Sequence, residues 1–429
     1  MVKRMDDVKR PHIVVVGLGY VGLPLAVALA RSFPTTGFDV DQARLDELRA
    51  GHDRTNEIDA ERLRASTVVL TSDAAVAHGA DIYIVTVPTP VDRANRPDLG
   101  PVMRATRTVA GLVAKGSRAI VVYESTVYPG VTEDLCGPML EKTGGLVRGS
   151  DFRLGYSPER INPGDKEHTV DRIVKVIAGE DAEVTDLLAD IYGTITTGGT
   201  FRAASIKAAE AAKVIENAQR DINIAFMNEI TRIFADIDLS IWDVLEAAGT
   251  KWNFLNFQPG LVGGHCIGVD PFYLAHLAQE LGHEPKVVLS GRAINDGMGQ
   301  WVADRVHTAR RGKGGRVLVL GLTFKENVPD LRNSKVIDVI RRLEWLGYPV
   351  TVHDPLADPA EADHEYGITL AEGALGERFD IVLAAVPHDA YRTMDDAAIS
   401  AIVEPDGLIA DLKGMWRGRD LTGIARWTL

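Results

Sequence analysis

The chain has 429 residues, 45% of them hydrophobic and 25% charged, and a formal net charge of −13. That length exceeds one ordinary core and predicts two or three globular domains, while the negative charge argues against a nucleic-acid or anionic-membrane surface and leaves room only for a local basic pocket for phosphate. Two cysteines make no disulfide framework, and without a signal-type or membrane-length apolar segment the expected compartment is the cytoplasm.

His12-Ile13-Val14-Val15-Val16 is a β-branched run suited to a buried parallel strand. It runs into Gly17-Leu18-Gly19-Tyr20-Val21-Gly22, after which Leu23 to Ser32 reads as an apolar helix with Pro24 in its first turn, where proline is tolerated. Thr35 to Asp39 reads as a second strand ending in an acid, and Ile82 to Val87 and Ala119 to Tyr123 as further buried strands followed by polar loops. The alternation is that of a doubly wound sheet. From Ser205 to about Asp236 no strand signal intervenes, and the spacing predicts one long helix, either a dimer seam or a simple connector. A second α/β pattern follows: strands at Gly315 to Gly321, Pro349 to Asp354, Asp380 to Val386 and Gly407 to Asp411, with a helix from Ser334 to Leu346. It has no second G-x-G-x-x-G turn.

Gly17-x-Gly19-x-x-Gly22 between a strand and a helix is a dinucleotide fingerprint, because glycines let the backbone approach a pyrophosphate at a helix N-terminus. Asp39 follows at the distance expected of the ribose-binding acid. Its carboxylate would repel a 2′-phosphate and favours NAD over NADP, although Arg44 just downstream could offset that charge. Thr86-Val87-Pro88-Thr89-Pro90 and Glu124-Ser125-Thr126-Val127-Tyr128-Pro129-Gly130 sit at the carboxyl ends of strands, either lining the nicotinamide side of a cofactor or simply capping loops. Glu159, in Ser157-Pro158-Glu159-Arg160-Ile161, is expected in a fixed loop. Lys213 and Asn217 share a helix face, as an oxyanion site or as a polar stripe. Lys325 and Arg332 are either a diphosphate site or a surface charge cluster.

Of the two cysteines, Cys136 lies in an apolar helical stretch and reads as buried and inert. Cys266 sits in Gly263-Gly264-His265-Cys266-Ile267-Gly268, where little side-chain bulk surrounds the sulfur. A nicotinamide cofactor with an accessible thiol points to aldehyde oxidation through a thioester. Metal binding by His265 and Cys266 is the weaker reading, since no second ligand pair stands at the needed spacing.

Taken in order, these motifs resemble the UDP-glucose/GDP-mannose dehydrogenase family over nearly the whole chain. The matching segments are the fingerprint, Pro88-Thr89-Pro90, Glu124 to Thr126, Ser157 to Arg160, Glu210-x-x-Lys213-x-x-x-Asn217, Gly263 to Cys266, and Phe324 to Arg332. The wording Glu124 to Gly130, Glu216 to Asp221, Lys251 to Phe254 and Pro259 to Cys266 is nearest the members that oxidise C6 of UDP-N-acetylglucosamine in capsule and O-antigen pathways. Val269 before Asp270, where the UDP-glucose enzymes carry lysine, fits that acetamido-sugar branch.

The resemblance implies an α/β fold with two Rossmann-like doubly wound domains joined by a long central helix and a helical middle domain. The expected divisions are 1–200 for NAD, 201–300 for dimerisation and the cysteine loop, and 301–429 for the UDP-sugar. It implies a four-electron oxidation of the C6 alcohol, with Cys266 carrying a thiohemiacetal and then a thioester. Lys213 and Asn217 would stabilise oxyanions, Asp270 would support Lys213 or an ordered water, and Thr126 and Glu159 would handle water and protons. Gly17, Gly19, Tyr20, Val21, Gly22, Asp39, Arg44, Thr89, Thr126 and Arg332 are the expected cofactor contacts. Glu159, Arg160, Lys213, Asn217, Gly263 and Lys325 are the expected substrate contacts, with Arg332 reaching either substrate or cofactor. It also implies a homodimer through the central helix. The same reaction on UDP-N-acetylgalactosamine, UDP-N-acetylmannosamine or UDP-glucose, and a catalytically silent nucleotide-sugar-binding protein, are the competing readings.

Overall fold

The computed structural model describes residues 10–92, 94–160, 171–264 and 267–429. The chain divides into two compact units: one runs to Glu216 and includes Phe272–Leu281, and the other comprises Asn217–Pro271 with Gly282–Leu429.

The first unit is built on β1 (Ile13–Val16), β2 (Thr35–Phe38), β3 (Val69–Thr71), β4 (Ile82–Val85), β5 (Ala119–Tyr123), β6 (Phe152–Tyr156), β7 (Lys175–Gly179) and β8 (Thr200–Arg202), in the order β3-β2-β1-β4-β5-β6-β7-β8. Alternate residues of the central strands feed two different cores. Val14, Val16, Tyr83, Val85, Val121 and Tyr123 face one, and Ile13, Val15, Ile82, Ile84, Ile120 and Val122 face the other. Burial on both faces explains why these strands are continuous apolar runs rather than alternating ones. The helix after β1 spans Gly22–Leu29 with every residue buried. It stops short of Ser32 because the Ser32 and Phe33 N–H groups both turn back onto the Leu29 carbonyl.

All strand pairings in this sheet are parallel except β6 with β7. That reversal has a chemical result. Tyr156 pairs with Ala178, so β7 begins beyond the point where β6 ends and sets Lys175 at the sheet's carboxyl edge. There the Lys175 ammonium lies 2.8 Å from Glu124 Oε2, the residue that follows β5, and both side chains are fully buried. The Tyr192 hydroxyl donates to Glu124 Oε1 at 2.5 Å, and Lys175 Nζ stands 5.1 Å from the centre of the Tyr192 ring. Burial pushes the Glu124 carboxyl up, against the pull of Lys175.

The second unit carries an all-parallel sheet of β9 (Val317–Leu320), β10 (Val350–His353), β11 (Phe379–Ala384), β12 (Val403–Asp411) and β13 (Ala425–Thr428), ordered β10-β9-β11-β12-β13. Its strands also feed two cores, Val317, Val319, Ile381 and Leu383 on one face and Leu318, Leu320, Val382 and Ala384 on the other. The expected long helix is Ile206–Ala235, within a residue of its predicted ends. In the second unit it is tied to the helix Lys286–Ala309 by a buried polar network. Asp221 Oδ1 accepts from Arg292 Nη1 at 2.6 Å and from Asn295 Nδ2 at 2.7 Å. Asn228 pairs with Gly260 in both directions, at 3.0 and 2.8 Å, and so fixes the start of the loop leading to Gly263. Among the described residues no helix is long and apolar enough to cross a membrane, and no group of three or more His, Cys, Asp or Glu is placed to hold a metal ion.

Breaking one half of the Glu124–Lys175 pair leaves a buried charge without compensation. Lys175→Met should cost about 3–5 kcal/mol, lowering the melting temperature of the first unit by on the order of 6–20 °C. Adding Glu124→Gln should recover most of that loss. Differential scanning calorimetry of both variants measures it, and a single variant as stable as the parent would remove the pair from the account of the fold.

Candidate functional site

In the first sheet the chain moves outward in opposite directions from β1 and β4, and the crevice between their carboxyl ends is where such sheets bind ligands. Gly17 takes φ +96°, which opens the turn after β1. A Cβ at Gly22 would stand 1.9 Å from the Gly17 carbonyl and 2.3 Å from Thr86 Oγ1, so only hydrogen fits where helix and loop meet. A Cβ at Gly19 would meet nothing within 4 Å, so that side of the loop is open. Thr86 Oγ1 laces the turn by donating to the Gly17 carbonyl at 2.8 Å. No side chain caps the helix that follows, whose N-cap position is the buried Val21. Tyr20 is half-buried beside it. Asp39, also half-buried, accepts from the Leu18 and Asp41 N–H groups at 2.7 and 2.9 Å.

Arg44 requires a correction. It is buried, its Nε donating to the Leu18 carbonyl at 3.0 Å and its Nη2 to Asp53 at 2.6 Å. Its charge is spent inside the fold as a strut under the glycine loop, and it is no surface counter-charge to Asp39.

The carboxyl edge of β4 to β6 gathers the other predicted groups of the first unit. Thr89 and Thr126 are half-buried, and the Ser125 hydroxyl donates to the Val87 carbonyl at 2.6 Å, joining their two loops. Tyr128 packs against Tyr273 and His276 of the helix Asp270–Glu280, and the Tyr273 hydroxyl donates to the Pro90 carbonyl at 3.1 Å. Glu159 is buried, as a fixed loop requires. Arg160 holds Glu216 at 2.8 Å and the Val174 carbonyl at 3.2 Å, so its guanidinium is already engaged. Lys213 is only 5% exposed, which excludes a solvent-facing stripe.

Glu210, one turn before Lys213, has a role that its spacing did not disclose. Its two oxygens accept from the Gly130 and Thr132 N–H groups at 2.6 and 2.9 Å, pinning the loop that carries Thr126. Burial pushes its carboxyl up to about 7. Lys175 and Tyr192 were likewise missed, although a lysine inside Ile173-Val174-Lys175-Val176-Ile177 is an anomaly legible in the sequence.

In the second unit, Asn217 Nδ2 donates to Asp270 Oδ2 at 2.5 Å, and Asp270 is buried. The backbone at Gly264 is clasped by Asn333, which donates from its amide to the Gly264 carbonyl at 3.0 Å and accepts the Gly264 N–H at 3.3 Å. Lys413 Nζ reaches the Pro259 carbonyl at 2.9 Å. Arg332 forms a two-bond pair with Asp330, at 2.9 and 2.6 Å. Lys325 is half-buried in the loop after β9. His265 and Cys266 lie outside the described residues. Cys136 is buried, and burial pushes its thiol up to about 12, which suits an inert side chain.

Profiles of one family match three successive stretches: the NAD binding domain over residues 11–196, the central domain over 207–297 and the UDP binding domain over 318–418. The chain belongs to the UDP-glucose/GDP-mannose dehydrogenase family. It is thus an oxidoreductase, a UDP-sugar dehydrogenase that uses NAD. It is 50% identical to Protein CapL of Staphylococcus aureus over 97% of this chain and 99% of that protein. It is 48% identical to the UDP-N-acetyl-D-glucosamine 6-dehydrogenase of Pseudomonas aeruginosa over 95% and 97%. Its structure is similar to that of the UDP-D-ManNAc dehydrogenase of Pyrococcus horikoshii, with a TM-score of 0.86 at 26% identity over 97% and 98% of the two chains.

The glycine loop fits the cofactor of this dehydrogenase. Gly19 leaves the approach clear, no side chain caps the start of the helix that follows, and the half-buried Asp39 carboxylate stands where a ribose could be held.

Glu210 makes the loop sensitive to pH. Its folded carboxyl, near 7, holds a proton more firmly than the unfolded chain, whose value is about 4.5. The group's contribution to stability is therefore complete below about 4.5 and is lost as pH rises through 7. Glu210→Gln keeps only one acceptor for two N–H groups and should cost about 1–3 kcal/mol. It should also flatten the fall in melting temperature between pH 5 and pH 8, which thermal melts across that range would read.

Proposed function

We propose that this dehydrogenase oxidises the C6 alcohol of UDP-N-acetylglucosamine to the uronate, as a cytoplasmic step in making a polysaccharide precursor. The observation that carries this is the 48% identity, nearly end to end, to a protein named for that reaction, against 26% to the UDP-D-ManNAc enzyme of matching fold. The buried free thiol of Cys136 is consistent with a reducing compartment.

Residues 1–200 hold NAD, 201–300 carry the cysteine loop and 301–429 bind the UDP-sugar. NAD supplies the hydride acceptor for each of two successive oxidations. Cys266, as thiolate, adds to the C6 aldehyde, and the carbon it holds reaches the thioester level before water releases the carboxylate. Lys213 and Asn217 stabilise the oxygen that carries negative charge. Asp270 holds the Asn217 amide at 2.5 Å and so fixes its direction. Thr126 and Glu159 position water and move protons, and Lys325 binds the nucleotide sugar.

The working assembly is a homodimer through the long helix. Phe226 and Ile233, seven residues apart on one stripe of that helix, are each 54% exposed, and Ile237 just past its end is 66% exposed. Apolar side chains in such a row are expected to be covered by a second copy.

Two outcomes test the chemistry. With a panel of UDP-sugars, UDP-N-acetylglucosamine should give the highest kcat/KM and about two NADH per product, the count a thioester route demands; one NADH per product, or a higher kcat/KM on another UDP-sugar, would replace this reading. Cys266→Ser should lose at least about a hundredfold in turnover, as read by NADH absorbance. For the assembly, Phe226→Asp with Ile233→Asp should convert the dimer to a monomer in light scattering.

A further inference from the structure

The loop after β9 carries Lys325, and the loop after β11 carries His388, at the switch point between two neighbouring strands of the second sheet. His388 is buried, and both of its ring nitrogens are used. Nδ1 faces the Asn327 N–H at 3.0 Å. A backbone N–H only donates, so Nδ1 bears no proton and Nε2 carries it. Nε2 stands 3.1 Å from Thr323 Oγ1 and 3.2 Å from Asp354 Oδ2. The Thr323 hydroxyl in turn donates to the Lys325 carbonyl at 3.1 Å. Asn327, in the left-handed region at φ +59°, accepts the Asp389 N–H through its own side chain at 3.0 Å.

One imidazole thus grips both feet of the Lys325 loop. Thr323 on one side and Asn327 on the other are held by its two nitrogens, and the Lys325 backbone is held through Thr323. Asp354 anchors the arrangement from below: Oδ2 accepts the Leu322 and Thr323 N–H groups at 2.6 and 3.0 Å, and Oδ1 accepts those of Leu356 and Ala357 at 2.8 and 3.0 Å.

We propose that His388 is a positioning residue for the UDP moiety, its neutral imidazole setting where the Lys325 ammonium stands. This rests on the reading of Lys325 as a nucleotide-sugar ligand. His388 touches no substrate in this role and acts through the loop alone.

The test uses full-length protein and UDP itself as the probe, titrated by calorimetry, with steady-state kinetics alongside. His388→Ala should weaken UDP and raise KM for the UDP-sugar by about tenfold, the effect expected when a buried N–H loses its acceptor. kcat at saturating sugar and the KM for NAD should stay within about twofold. His388→Asn puts an acceptor where Nδ1 was and should restore UDP affinity to within about threefold of the parent. His388→Gln reaches only the Nε2 position and should stay weak. If the alanine variant does not fold, the Asn and Gln variants decide, and equal UDP affinities in those two overturn the proposal. Parallel loss of UDP affinity, NAD affinity and melting temperature in every variant also overturns it. Lys325→Ala separates the two layers. Should it bind UDP normally, the ligand assignment falls and the clamp with it; should it bind weakly while His388→Ala binds normally, only the clamp falls.

Discussion

An acid at the end of the second strand in space holds the loop that leaves the first, and both sheets are organised around that contact. In the first sheet Asp39 takes the Leu18 N–H at 2.7 Å; in the second Asp354 takes the Leu322 N–H at 2.6 Å. The geometry follows from the parallel pairing of β1 with β2 and of β9 with β10, which delivers the two carboxyl ends side by side. What differs is the remaining capacity of each carboxylate. Asp39 stays half-buried and holds two N–H groups, which leaves lone pairs for a ribose. Asp354 accepts four N–H groups besides its contact with His388 and is closed to any ligand. One device therefore leaves an acid open to a ligand in the first sheet and serves as a foundation in the second.

Charge inside the first unit obeys a related rule: each buried ion has been given a partner before any substrate arrives. Glu124 has Lys175 and Tyr192, Arg44 has Asp53, and Glu210 has two backbone N–H groups. An unpaired charge at such depth is far costlier than a paired one. The pairs also link distant stretches of chain, Glu124 to Lys175 across 51 residues and Gly130 to Glu210 across 80. They hold in register the loops that carry Thr126 and Glu159, and rigid loops are what the roles proposed for those two residues would need.

How much of this is legible in the sequence depends on whether the cause is local. The central strands are readable because burial on both faces leaves an unbroken apolar run, and the long helix because its spacing persists for 30 residues. The glycine fingerprint is readable because φ and close packing dictate residue type on the spot. β7 and β8 escape because a reversed strand announces itself only through its partner. Arg44 misleads for the same reason: proximity to Asp39 in sequence suggests a shared site, while Asp53, nine residues on, claims the guanidinium. Lone residues such as His388 and Asn333 carry no signal, since their meaning lies in loops more than 60 residues away.

The glycines before Cys266 have a structural cause that the sequence alone does not disclose. In sequence they read as a way to keep bulk from a sulfur. In the fold, a Cβ on Gly263 would stand 2.6 Å from the Asn333 carbonyl oxygen, and one on Gly264, at φ +82°, would stand 2.9 Å from the Phe324 ring. Both glycines are therefore required by close packing against the loop from Phe324 to Asn333. That loop also carries Lys325 and Arg332, so the segment leading to the cysteine and the segment proposed to hold the nucleotide are parts of one packed body. The distance from a bound diphosphate to the sugar carbon it carries is set by the substrate. On the roles proposed for Lys325 and Cys266, fixing the two loops to each other through Asn333 would hold the nucleotide site in a set place relative to the segment that leads to the thiol, the kind of pre-set geometry that turns binding of a remote group into orientation at the reacting one.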